Sequence, residues 1–204
     1  MSKRDHWETI YSQKVETDLS WHQDDPSVSL ELMQKAGLTP ETSVIDIGAG
    51  TSRVVDRLLS LGLRDISVLD LSAHALEKVR YRLGDRGKTV SWIAADVTAW
   101  QSSRVYDIWH DRAVFHFLVD PVDRASYVER LSSSLTLGSH AVIATFAPDG
   151  PEKCSGLDVK RYSPDLLSKT LGNTFDLVAH RFHLHRTPAG RPQSFQYSLF
   201  RKQR

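Results

Sequence analysis

Ser43-Val-Ile-Asp-Ile-Gly-Ala-Gly50 decides the fold: a short apolar run closes on two glycines, and Val54, Val55, Leu58, Leu59 and Leu61 follow at helical spacing up to Gly62. Strand, tight turn and helix are the implied sequence. The unit repeats downstream. Residues 66–69 read as a second strand, Asp70-Leu-Ser72 as its exit and helix cap, and 73–83 as a helix stopped by Gly84. Residues 89–94, 105–109 and 140–146 are further strands, 127–135 carries helical periodicity, and Ser163-Pro164 opens another helix. Upstream, Val28, Leu32 and Ala36 lie four apart, which predicts an amphipathic helix over 26–36 ending at Gly37. Such alternation specifies a parallel sheet covered by helices. The last 30 residues break the rhythm, because 175–184 and 194–200 read as two strands joined by Thr187-Pro-Ala-Gly-Arg-Pro192. A short Pro/Gly connection makes such strands antiparallel.

The totals fit that picture. A chain of 204 residues, 40% hydrophobic and 25% charged, accommodates one α/β core and no second catalytic domain. We expect a single domain over 1–204, with an aromatic-containing polar leader over 1–25 and the core over 26–204. Lys+Arg of 26 against Asp+Glu of 25 leaves a net charge of +1, too little field to favour a nucleic acid or an anionic membrane. One cysteine, Cys154, suits a reducing compartment, and neither an export signal nor a membrane span is evident, so the expected location is the cytoplasm.

In open α/β sheets ligands gather beyond the carboxyl ends of the strands, where Asp46-Ile-Gly-Ala-Gly50 lies. Gly48 and Gly50 let the backbone pass close beneath a ligand, although a lone G-x-G is often only a turn. Asp70 ends the second strand twenty positions after Gly50, where its carboxylate would accept both ribose hydroxyls of an adenosine; the competing role is a helix cap, which Ser72 can fill instead. Asp96 leaves the third strand in the same way. It would accept an adenine amino group while Val97 packs on the ring, or stand as a solvated loop aspartate. Arg53 occupies the position where a dinucleotide turn wants a small residue, which favours S-adenosylmethionine over a nicotinamide dinucleotide. Asp46 would meet that ligand's ammonium, directly or through water.

Val44-Ile-Asp-Ile-Gly-Ala-Gly50, Asp70, Ala95-Asp96 and Tyr106-Asp107-Ile108 together resemble the ordered motifs of class I S-adenosylmethionine-dependent methyltransferases, over roughly residue 26 to the end. The resemblance implies a three-layer, Rossmann-like α/β sandwich whose seven-stranded, mostly parallel sheet carries an antiparallel C-terminal strand. It also implies bound S-adenosyl-L-methionine lined by Asp46, Gly48, Gly50, Asp70, Leu71, Asp96 and Val97. His110-Asp-Arg-Ala-Val-Phe-His116 occupies the place of cofactor and substrate contacts in that family. His110 and Asp111 would then lie beside the methionine moiety, and His116 or Arg112 would face the acceptor; alternatively Val114, Phe115 and Leu118 are helix core and His116 a buried histidine. Trp7, Tyr11 and Trp21 would form a lid over the adenosyl group, or simply anchor the leader.

His180, His183 and His185 lack a companion ligand set, so no metal is expected, and they read as solvent-facing residues of a strand whose Phe182 and Leu184 point inward. Methyl transfer from a sulfonium is chiefly positioning. An alcohol or ammonium acceptor needs a base, for which His116 has a suitable intrinsic pKa; a thiolate or carboxylate needs none. The fourth strand lacks Asn/Asp-Pro-Pro-aromatic, which argues against amino-methylation of adenine or glutamine, and Cys154 follows Lys153 and not proline, which argues against a cysteine nucleophile acting on cytosine. A small-molecule acceptor is therefore expected, with protein lysine as the alternative. A dinucleotide-dependent oxidoreductase is opposed by Arg53 and the lack of a Tyr-x-x-x-Lys pair, and a non-catalytic adenosyl-binding protein is the third reading.

Overall fold

The computed structural model describes residues 2–204. Strands β1 (Val44–Ile47), β2 (Ile66–Asp70), β3 (Val90–Ala94), β4 (Tyr106–Arg112) and β5 (Leu135–Phe146) are parallel. A two-residue hairpin, β6 (Lys153–Cys154) and β7 (Leu157–Asp158), precedes the last pair, β8 (Phe175–Arg186) and β9 (Pro192–Lys202). β9 inserts antiparallel between β5 and β8, giving the order β3-β2-β1-β4-β5-β9-β8. The chain reverses its direction of travel across the sheet between β1 and β4, which opens a crevice at their carboxyl ends.

Helices α1 (Lys3–Gln13), α2 (Ser27–Lys35), α3 (Val54–Ser60), α4 (Ala73–Leu83), α5 (Pro121–Ser133) and α6 (Pro164–Leu171) complete the chain. Side chains alternate along each strand, so β1 gives Val44 and Asp46 to one face and Ile45 and Ile47 to the other. Val44 packs with Leu32, Met33, Val55, Leu58 and Val79 of α2, α3 and α4. Ile45 and Ile47 pack with Tyr127, Leu131, Leu167 and Leu171 of α5 and α6. Each large side chain so buried contributes about 1.5–3 kcal/mol. The seven-stranded, three-layer arrangement and its antiparallel C-terminal strand agree with the sequence reading.

Three local expectations are corrected. The aromatic-containing polar leader holds a helix that its sequence pattern did not indicate, started by a reciprocal capping box between Ser2 and Asp5. The helix expected at 127–135 begins earlier, where Asp120 accepts from the Val122 N–H at 2.8 Å ahead of Pro121, and Leu135 already belongs to β5. In β8, whose register is irregular between Leu177 and Ala179, His180 is exposed as expected, but Phe182 and Leu184 face outward and His185 inward. Phe182 and Leu184 are 60% and 56% exposed, whereas His185 is 4% exposed and bonds the Ser20 carbonyl through Nε2 at 2.8 Å. Among the described residues no helix is long and apolar enough to cross a membrane.

Candidate active site

The carboxyl ends of β1, β2 and β3 lie side by side because the three strands pair in parallel. Gly48 and Gly50 adopt φ of +59° and +53°, a region open to glycine at little cost. A Cβ on Gly48 would lie 1.9 Å from Val114 Cγ2, and one on Gly50 would lie 2.2 Å from Tyr11 Oη. The turn is therefore packed directly beneath the segment after β4 and beneath the leader helix. Asp70 accepts from the Gly50 N–H at 2.7 Å and from the Ser72 N–H at 2.8 Å. Ser72 itself caps α4 by accepting from the Ala75 N–H at 3.1 Å, so Asp70 is spared that task. A carboxylate offers about four acceptor positions, and two remain on Asp70. Burial, opposed by those two backbone bonds, raises its pKa to about 6.

A cavity partly open to solvent lies above these ends. Of the expected residues it brings together Trp7, Tyr11, Trp21, Gly48, Asp70, Leu71, Asp96, Val97 and Arg112. Asp96 steadies its own turn by accepting from the Thr98 N–H at 2.9 Å and hydroxyl at 2.7 Å. Trp7 meets Trp21 and Phe117 edge to face at 5.7 and 5.2 Å, forming an aromatic wall. α1 is clamped in place by Glu8, whose carboxylate accepts from the Ser72 hydroxyl and the Ala73 N–H, both at 2.8 Å, at the N-terminus of α4. Glu16 adds ion pairs to Arg53 and Arg82.

Asp46 and His110 border a smaller adjoining cavity with Gly48, Thr51 and Arg112. His110 Nδ1 stands 2.6 Å from Asp46 Oδ1, and its Nε2 stands 2.9 Å from Ser29 Oγ. Because a carboxylate only accepts, Nδ1–H donates to Asp46 and a neutral ring then accepts from Ser29. Asp46 Oδ2 is buried without a partner. An orphaned buried carboxylate oxygen beside a glycine turn suits a ligand ammonium, so this acceptor fits the amino-acid tail of an adenosyl sulfonium.

Three expected residues line neither cavity: Gly50, which is covered by the Tyr11 side chain and holds Asp70 from behind, Asp111 and His116. Asp111 projects from the opposite face of β4 to His110 and Arg112, as strand alternation requires. Its carboxylate accepts from the Val114 N–H at 2.8 Å, the Phe115 N–H at 3.1 Å and the Tyr127 hydroxyl at 2.6 Å, and it holds the turn in which Ala113 takes φ +76°. It shapes the wall and does not line it. His116 is fully buried, with Phe146 N–H donating to its Nδ1 at 3.3 Å and Nε2 unpartnered. Burial, reinforced by the Arg112 charge, lowers its pKa to about 3, so the ring is neutral, and it does not line the cavity. Sequence reasoning missed Lys3, Val114, Phe117, Phe146, Cys154 and Phe195 on the cavity wall. The last three come from the C-terminal half and carry no local signal.

Residues 44–138 match the family described as a methyltransferase domain. The chain is 26% identical over 173 residues to trans-aconitate 2-methyltransferase of Rhizobium etli, covering 84% of this chain and 61% of that protein. It is 28% identical over 96 residues to the eEF1A lysine and N-terminal methyltransferase of Mus musculus, covering 46% of this chain and 13% of that protein. The chain thus spans less than two thirds of either relative. Its fold is similar to that of the N-methyltransferase NodS of Bradyrhizobium japonicum WM9 in complex with S-adenosyl-L-homocysteine, with a TM-score of 0.74, 14% identity, and coverage of 97% and 99% of the two chains.

Proposed function

We propose that this chain, which carries a class I, Rossmann-like, S-adenosylmethionine-dependent methyltransferase domain, transfers a methyl group from S-adenosylmethionine to a small-molecule acceptor. The observation that carries the reading is that Gly48, Asp70 and Asp96 leave three adjacent strands around one cavity. Asp70 takes the ribose hydroxyls through its two remaining acceptor positions, with Gly50 holding the carboxylate from behind. Leu71 and Val97 enclose the adenine and Asp96 accepts its amino group. Asp46 Oδ2 receives the ammonium of the amino-acid tail, and His110 fixes the orientation of that carboxylate. Trp7, Tyr11 and Trp21 cover the adenosyl group and exclude water.

S-adenosylmethionine supplies a methyl group already activated by its sulfonium, so what the protein adds is chiefly alignment, worth about 7–11 kcal/mol in favourable cases. Arg112, Phe146 and Phe195 form the part of the wall left for an acceptor. A relative named for trans-aconitate, matched over most of this chain, supports a small molecule. The lysine-methylating relative is matched over a shorter stretch, and an ammonium approaching this wall would meet the Arg112 guanidinium.

Formation of S-adenosylhomocysteine from S-adenosylmethionine, followed across a panel of small acids, alcohols, thiols and amines and a parallel panel of lysine peptides, tests the reading. Turnover with one or more small molecules is expected. Turnover confined to the peptides would replace the small-molecule assignment with the protein one.

A further inference from the structure

Arg112 ends β4 level with Ala144 of β5, and its side chain reaches toward β9, away from Asp70. Its Nε donates to the Tyr197 hydroxyl at 3.0 Å, its Nη1 donates to the Trp21 carbonyl at 2.9 Å, and its guanidinium lies over the Phe195 ring at 4.8 Å. Three neutral partners thus hold the group in place, yet Nη2 is buried and bonds nothing. Among the described residues no carboxylate lies within ion-pair distance of it. A half-buried guanidinium with one nitrogen unpartnered and no counter-charge is costly, and an anionic ligand lowers that cost.

The surroundings restrict the rest of that ligand. Phe117, Phe146, Phe195 and Cys154 make the neighbouring wall apolar. They also supply no base: His116 is sealed away, and burial pushes the Cys154 thiol up to about 11. The wall's two aspartates, Asp70 and Asp96, lie at the ends of β2 and β3, on the adenosyl side. Among the residues lining the main cavity, none beside Arg112 is placed to take a proton from an acceptor, whereas a carboxylic acid arrives ionised at neutral pH.

Resting on the methyl-transfer reading above, we infer that the acceptor is an apolar carboxylic acid anchored by the Arg112 guanidinium, and that the product is its methyl ester. One carboxylate oxygen is held by the guanidinium while the other forms the new O–CH3 bond. The S–CH3 bond breaks as that bond forms, its electron pair stays on sulfur, and no proton changes hands. Arg112 is thereby the residue that selects an anionic acceptor over a cationic one.

Arg112 also borders the cavity that holds Asp46, so the carboxylate of the cofactor's own tail is the competing anion. Calorimetric titration of the protein saturated with S-adenosylhomocysteine separates the two. The probes are propionate, phenylacetate and decanoate, each paired with its primary amide. Binding of at least one acid tenfold or more tighter than its amide is expected. Arg112→Gln should weaken that acid at least thirtyfold and S-adenosylhomocysteine less than threefold, and Arg112→Lys, which keeps the charge, should recover part of the acid affinity. No acid preferred over its amide would overturn the inference. So would an Arg112→Gln protein that loses S-adenosylhomocysteine as severely as the acid, a result that leaves the methyl-transfer reading standing. A wild-type protein that binds no S-adenosylhomocysteine would instead remove that reading, while the acid and amide comparison on the ligand-free protein still reports on Arg112.

Discussion

Asp70 Oδ2 accepts the Gly50 backbone N–H at 2.7 Å, so the carboxylate that ends β2 is tied to the glycine turn that ends β1. The bond fixes Asp70 in a single orientation at the mouth of the cavity and leaves acceptor positions for a ligand. Its burial raises the pKa to about 6, placing the loss of its charge within reach of ordinary buffers. The ionised carboxylate accepts both ribose hydroxyls, whereas the protonated acid surrenders one acceptor position to its own proton. Affinity for S-adenosylhomocysteine should therefore fall about tenfold as pH drops from 7.5 to 5. Asp70→Asn should bind weakly at both values, and a wild-type affinity that is flat with pH would contradict the ribose role.

Gly48→Ala is expected to disrupt the site more than the fold. The added Cβ would overlap Val114 Cγ2 at a backbone φ that L-residues rarely adopt. Displacing Val114 moves the wall that Asp111 organises, and we expect at least a tenfold loss of S-adenosylhomocysteine affinity with destabilisation of about 1–3 kcal/mol. Thermal melting and calorimetry on one preparation measure both quantities.

Glu8→Ala removes the acceptor that joins α1 to the start of α4. The bonds involve a charged acceptor at a helix N-terminus, so their loss should cost about 1.5–3 kcal/mol of docking free energy. Limited proteolysis should then cut within residues 2–25 faster than in the wild type, and a bound adenosyl ligand should restore protection. Equal cleavage rates in the two proteins would show that Glu16 and the aromatic cluster suffice to hold the leader.

The aromatic and acidic residues of the leader were visible in the sequence, but their arrangement was not. Strands 44–47 and 66–70 are short apolar runs closed by glycine or aspartate, and that local chemistry also marked Gly48, Asp70 and Asp96. α1 was missed because its inward residues, Trp7, Ile10 and Tyr11, are too few to make a sustained apolar stripe; Glu8 and Glu16 do much of its anchoring through ion pairs and a helix end. Asp111 and His116 were expected at the site because they neighbour Arg112 in sequence. Strand alternation sends Asp111 to the far face, and Phe146, thirty residues later, seals His116. Topology, not spacing, brings Phe195 and Cys154 to the cavity.

His116 is expected to act on stability and not as a base. Its pKa of about 3 in the folded protein lies below the ordinary 6.5, so between those values the unfolded chain takes up a proton that the folded chain does not. Its stabilising contribution is complete above pH 6.5 and is lost as pH falls toward 3. Between pH 7.5 and 5 the wild type should lose about 2 kcal/mol more stability than His116→Phe. The raised pKa values of Asp70 and Asp111 act in the opposite direction, but they are common to both proteins and cancel in the comparison. Denaturant unfolding at the two pH values measures the difference.

Calorimetric titration of the wild type and of Asp70→Ala with S-adenosylhomocysteine and with NAD reads the cavity's ligand most directly. Micromolar binding of S-adenosylhomocysteine by the wild type, weakened by about 1.5–3 kcal/mol in Asp70→Ala and unaccompanied by NAD binding, is the predicted result. Unchanged affinity in Asp70→Ala, or binding of NAD alone, would contradict the assignment of this cavity to an adenosyl methyl donor.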